Sequence, residues 1–117
     1  MIYSRLSMNE PLAPAAFLIL LALASGEKHG YAIMREARAL SDGGFQMGPA
    51  TLYTTIRRLL DSGWIEEVSS PEGADVRRRY YALTGKGNSA LHIELDRMRT
   101  IVEKASALKL PSPELQS

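Results

Sequence analysis

Residues 50–57 hold Ala50, Thr51, Tyr53, Thr54 and Arg57, a small methyl group, hydroxyls and a guanidinium within two turns of helix. These types suit the reading of duplex nucleic acid. Arginine can pair bidentately with guanine, threonine can bond bases or phosphates, and an alanine methyl can touch the methyl of thymine. The Tyr53 hydroxyl suits a phosphate better than a base. A second basic group, Arg77, Arg78 and Arg79, could hold phosphates and so set register more than sequence. Lys28 and Tyr31 are further candidates for phosphate contact. The plainer reading of each group is a solvated surface, and Glu66, Glu67, Glu72 and Asp75 could pair with the arginines at little net gain. If the arginines continue a strand, Arg77 and Arg79 point to one side and Arg78 to the other.

Other chemistries find little support. The chain has no cysteine, which removes disulfides, thiol catalysis and thiolate metal sites and is compatible with a cytoplasmic location. Its two histidines, His29 and His92, have no carboxylate at ligand spacing, so no metal or cofactor is expected. No nucleophile–base signature, glycine-rich phosphate loop or HExxH occurs, and an enzyme is not expected. The net charge of +1 is close to neutral, so any affinity for nucleic acid depends on where the charges sit.

The candidate residues must be positioned by helices. Residues 48–63, GPATLYTTIRRLLDSG, carry a proline suited to a first helical position and a glycine suited to a left-handed end. At about 100° per residue, Leu52, Ile56, Leu59 and Leu60 share one side, while Ala50, Thr54, Arg57 and Asp61 share the other, flanked by Tyr53 and Arg58. Before it, residues 12–24 form an apolar block and residues 31–40 an amphipathic helix ended by Ser41-Asp42-Gly43-Gly44. The apolar block could be read as a secretory signal, with Arg5 as the basic flank and Ala22-Leu23-Ala24 as the cleavage site. Glu10 in that flank, and the loss of the largest apolar segment on cleavage, favour a core helix. A membrane span needs about 20 apolar residues, more than the block supplies.

After Gly63, residues 64–68 and 79–83 are rich in β-branched and aromatic types around the turn-forming SSPEGAD. A hairpin there, with Trp64, Tyr81 and Leu83 in its core, turns a helix-turn-helix into a winged one. Thr84 can cap a last helix with Gly85, Lys86 and Gly87 as a loose first turn, and Leu91, Leu95, Met98, Val102 and Ala105 then recur at heptad spacing. Ile101 and Leu108 widen that stripe. The expected fold is mainly α with a small β-hairpin, a winged helix-turn-helix plus a C-terminal dimerisation helix. Its parts are a flexible arm at 1–10, the DNA-binding domain at 11–83, the dimerisation helix at 84–110 and a mobile tail at 111–117.

Together these segments resemble the PadR family of winged-helix transcriptional regulators. The resemblance rests on His29-Gly30-Tyr31-x-Ile33, Pro49-Ala50-Thr51-Leu52-Tyr53 with Arg58-Leu59, Gly63-Trp64-Ile65, and Arg79-Tyr80-Tyr81-x-Leu83-Thr84-x-x-Gly87, in that order. It runs from about Ala16 to the end of the last helix. Ala50 stands where the family commonly has glycine, and Gly48 where it often has serine. The short C-terminal region looks like the compact subgroup with a single dimerisation helix. The resemblance implies a homodimeric regulator of double-stranded DNA, with Thr51, Tyr53 and Thr54 facing the groove, while Arg57 rests on periodicity. It also implies a small-molecule effector near the dimer interface, in some relatives stacked on aromatics. The last helix here has no aromatic residue, which leaves a cavity lined by Met98 and leucines. The near-neutral charge keeps a second reading open, a winged-helix module that binds a protein partner instead of DNA.

Overall fold

The computed structural model describes residues 6–8, 10–75 and 77–114. Of the expected arm, residues 1–5 and 9 lie outside the described residues, as do 115–117 of the expected tail. Helix α1, Pro14–Leu23, begins on a proline and is apolar nearly all round, so it buries Ala15, Ala16, Leu18, Ile19, Leu20, Ala22 and Leu23 and forms the centre of the core. It touches α2, α3, α4 and β3. Leu6, Met8 and Leu12 also pack on this core, so the part of the arm that is described is fastened to the domain.

Helix α2, Gly30–Leu40, buries Gly30, Ile33 and Ala37, spaced to share one face. Helix α3, Pro49–Asp61, buries Leu52, Ile56 and Leu59, while Leu60 packs at the core's margin. Gly63 ends α3 in the left-handed region at φ +77, with its N–H donating to Leu60 O and that of Trp64 to Leu59 O, both at 3.0 Å. That pairing is a Schellman close, and it drives Trp64 into the core at 1% exposure.

Strands β2, Ile65–Val68, and β3, Tyr80–Leu83, form the expected hairpin, with Ile65 opposite Leu83 and Val68 opposite Tyr80. Tyr81 is buried and Leu83 half-buried. A third strand, β1, Lys28–His29, lies where a plain connection is expected from the sequence, and it completes an antiparallel sheet of order β1-β3-β2. The wing is thus tied to the start of α2 as well as to the end of α3.

Helix α4, Gly85–Ser106, starts on the expected cap, where Thr84 Oγ1 accepts from Gly87 N at 3.0 Å and donates to Gly63 O at 2.7 Å. Its first turn is tight, not loose, because a Cβ on Gly87 would stand 1.9 Å from Trp64 O. Gly87, Ala90, Leu91 and Glu94 are buried, with Leu95 packed beside them. Leu91 therefore serves the chain's own core. The same stripe then runs out of the domain with Met98, Ile101 and Val102 exposed, the last two at 61% and 63%. Arg97 pairs with the buried Glu94 and donates to Met8 O at 3.2 Å and Glu10 O at 3.4 Å. This holds the described part of the arm against the point where α4 leaves the core.

Candidate nucleic-acid interface

With Leu52, Ile56 and Leu59 fixed inward, geometry turns the other side of α3 to solvent, and Ala50, Thr51, Tyr53, Thr54 and Arg57 are all exposed. Thr55, between the two faces, donates its hydroxyl back to Thr51 O at 2.7 Å and is occupied within the helix. Tyr53, Thr54, Arg57 and Arg58 line a shallow depression along that outward side. A rod about 10–12 Å wide with such a face matches the width of a B-DNA major groove.

Tyr53 is shared between this face and a cleft of about 400 Å³. His29, Gly30 and Tyr31 from the start of α2 form one wall of the cleft, and Arg77, Arg78, Arg79 and Tyr81 from the wing form the other. Three segments far apart in sequence thereby bring hydroxyls and guanidinium groups to one concave place, as phosphate binding requires. Tyr31 is exposed and stacks under Arg35, whose guanidinium carbon lies 5.2 Å from the ring centre. Burial, then the Glu67 carboxylate, raises the Tyr81 phenol above its ordinary value, so it acts as a neutral group.

Two candidates are placed differently from the sequence expectation. Lys28 directs its ammonium to Ser25 Oγ at 2.8 Å and Gly26 O at 3.3 Å, so its charge serves the turn after α1 and it does not line the cleft. The wing arginines do not alternate as strand residues, because β3 begins only at Tyr80 and Arg77–Arg79 belong to the turn before it. Each has its own neighbour. Arg77 forms a forked pair with Asp75 at 3.1 Å, which holds that carboxyl below its ordinary value. Arg79 reaches Glu67 at 3.5 Å. Arg78 meets no carboxylate among the described residues and instead lays Nη1 against the His29 ring, 2.8 Å from Nε2 and 3.4 Å from Nδ1.

His29 is the residue that sequence reasoning passed over. It is the N-cap of α2, with Nδ1 accepting from Ala32 N at 3.2 Å, and its ring meets Tyr80 edge-on at 5.4 Å. Burial, then the charges of Arg78 and Arg35, hold its pKa below the ordinary imidazole value, so the ring is neutral at pH 7. The available signal was a histidine directly before a helical glycine, at a cap position.

Gly30 sets how closely Tyr53 can approach α2. A Cβ there would lie 2.5 Å from the Tyr53 hydroxyl and 3.3 Å from a Leu52 methyl. Gly30→Ala is therefore expected to push the Tyr53 ring out of the cleft with a stability change within about 1 kcal/mol, since the clash is with the far end of an exposed side chain. Tyrosine fluorescence quenching with a Tyr53→Phe control, alongside a thermal melt, checks this. A ring environment unchanged by Gly30→Ala would contradict it.

Among the described residues no group of three or more His, Asp or Glu side chains is placed to hold a metal ion. No described helix is long and apolar enough to cross a membrane.

Residues 19–93 match the model of the transcriptional regulator PadR-like family. Comparison with curated proteins finds no significant match. Among solved structures, a PadR family transcription regulator from Clostridium difficile is 25% identical, with a TM-score of 0.69 over 80% of this chain and 96% of its own. Bacillus subtilis PadR in complex with operator DNA is 22% identical, with a TM-score of 0.57 over 87% and 51%. BpsR of Bordetella bronchiseptica, whose DNA binding is regulated by 6-hydroxynicotinic acid, is 20% identical, with a TM-score of 0.63 over 86% and 69%. At these last two identities the likeness establishes a common fold.

Proposed function

The chain belongs to the PadR-like family of transcriptional regulators, not to a family of enzymes, and from that premise we propose that it is a homodimeric repressor reading a near-palindromic operator. Helix α3 enters the major groove, and the wing and the start of α2 grip the adjoining phosphates. The observation that carries this reading is the continuity of the exposed α3 face with the cleft shared by Tyr31, Tyr53 and the wing arginines. The PadR–operator and BpsR structures support DNA as the partner class. Met98, Ile101 and Val102, exposed on α4, and Leu108 just beyond its end support pairing with a second copy. Twofold pairing sets two recognition helices about one DNA turn apart. A small apolar effector lodged beside Met98 would shift that pairing and release the operator, as regulation of BpsR by a small molecule suggests.

Selection from a random duplex pool tests the proposal. A recovered consensus with two related half-sites is expected, bound at physiological salt in preference to random duplex. On that consensus, Arg57→Ala relaxes preference at one position per half-site by about 1–3 kcal/mol, whereas Arg78→Ala weakens all sequences alike and lowers the salt slope by about one. Equal effects of the two variants on every sequence would refute the division of roles. Absence of any consensus and of salt dependence, with a protein partner co-purifying, would favour the interaction-module reading that the near-neutral net charge of +1 keeps open.

A further inference from the structure

Among the described residues two polar or charged side chains are buried, Ser62 and Glu94, each 4% exposed. Both lead to the same segment. Ser62 closes the C-terminal end of α3, and its hydroxyl oxygen accepts from Leu6 N at 3.0 Å. Glu94, on α4, pairs with Arg97, whose guanidinium also donates to Met8 O at 3.2 Å and Glu10 O at 3.4 Å. Between these anchors Leu6 and Met8 lie against the core. Taking an ion pair out of water is costly, and apolar residues of like volume commonly serve stability as well. What they cannot do is hold the main-chain carbonyls of a segment that crosses them.

We propose that the N-terminal arm, clamped by Ser62 and Arg97, is a brace between α3 and α4 that sets the distance between the two α3 helices of a dimer, and so the half-site spacing the protein accepts. This role rests on the reading of the chain as a dimeric DNA-binding protein. The end of α3 is already tied to the start of α4, where Thr84 Oγ1 donates to Gly63 O at 2.7 Å. One tie at the end of a rod is a pivot and leaves an angle free. Arg97 stands about 18 Å further along α4 at 1.5 Å per residue, where a second tie fixes that angle. It lies one residue before the exposed run of Met98, Ile101 and Val102 begins. A swing of about 10° at Thr84 moves Val102 by about 4–5 Å, more than the roughly 3.4 Å rise of one base pair. Ser62 and Arg97 are positioning residues, since neither lines the cleft or the depression along α3.

Two variants of the full chain release the arm from opposite ends. Glu94→Leu with Arg97→Met exchanges the buried ion pair for apolar groups and keeps the core filled, and Ser62→Ala removes the acceptor for Leu6 N. Hydrogen exchange at the Leu6 amide reads the hold on the arm and is expected to quicken about tenfold or more in each. Binding is then measured on duplexes that carry the half-sites recovered from a random pool, at the recovered spacing and at spacings one and two base pairs longer or shorter. The native protein is expected to prefer its own spacing about tenfold over a one-base-pair change, and both variants about threefold or less. Affinity for a duplex with a single half-site is expected to stay the same, which a general loosening of the DNA-binding domain would not allow. Spacing preference that survives in both variants while Leu6 exchanges freely overturns the brace, as does Leu6 exchange that neither variant alters. Recovery of no paired half-sites overturns the dimeric reading and the brace together.

Discussion

Gly87→Ala is expected to destabilise the protein by about 3 kcal/mol, the upper end of what a forced methyl group costs in a packed interior. The methyl would stand 1.9 Å from the carbonyl oxygen of Trp64 and 2.8 Å from its carbon, both main-chain atoms that cannot rotate aside. The same carbonyl accepts from Thr84 N at 3.1 Å, and Thr84 in turn caps α4, so a shift there loosens the wing and the last helix together. In a chain of this length the loss corresponds to a fall in Tm of roughly 12 °C. Gly85→Ala is the matched control, since a Cβ there meets nothing within 4 Å. It is expected to raise stability by about 0.4–1 kcal/mol through a less mobile unfolded chain. Thermal melts at one fixed protein concentration measure both. Equal behaviour of the two variants would contradict the close approach.

Val102→Asp is expected to convert the protein to a folded monomer and to weaken operator binding by about 100-fold or more. Val102 is 63% exposed and Ile101 61%, so a carboxylate at 102 costs a single chain little. In a twofold pair the same carboxylates face each other in an apolar seam, where unpaired charge is strongly disfavoured. The affinity loss follows from valency. Two linked recognition helices gain about 10²–10⁴ over one through effective concentration, and a monomer forfeits that gain without losing any DNA contact of its own. Light scattering, circular dichroism and duplex titration separate the outcomes. Leu91→Ala provides the contrast, because Leu91 is 3% exposed within its own chain. It is expected to lower stability by about 2–5 kcal/mol while leaving the partner face chemically unchanged. A Val102→Asp protein that remains dimeric, or a monomer that binds as tightly as the native protein, would refute the assignment of this face.

Elements with local punctuation were legible in the sequence. Pro49 and Gly63 bracket α3, Thr84 caps α4, and the spacing of Leu52, Ile56 and Leu59 marks the buried side of α3. What escaped depends on residues brought together from a distance. Strand β1 is two residues long, too short for alternation to show, and is a strand only because Tyr80 and Tyr81 lie beside it. Glu94 looks like one more flank charge of an exposed helix, yet it is buried because Arg97 and the carbonyls of Met8 and Glu10 close over that corner. The heptad stripe is continuous in sequence, but α1 takes its first half, so its periodicity alone assigns Leu91 and Val102 to one surface when they belong to two. In the candidate site, the outward residues of α3 follow from periodicity, whereas the contact of His29 with Arg78 required the sheet.

The late pairing of β1 with β3 also orders the birth of the chain. Lys28 and His29 leave the ribosome early but have no strand to join until Tyr80 and Tyr81 follow. By then α1, α2 and α3 have all been synthesised, and local helical contacts form faster than pairings that must close a long loop. The sheet and α4 are therefore the finishing steps of folding. A translation product that ends before Thr84 lacks α4 and leaves part of the apolar surface of α1 uncovered, the kind of surface that chaperones and proteases act on. Such a product already carries the wing strands and lacks only the helix that closes over this side of α1.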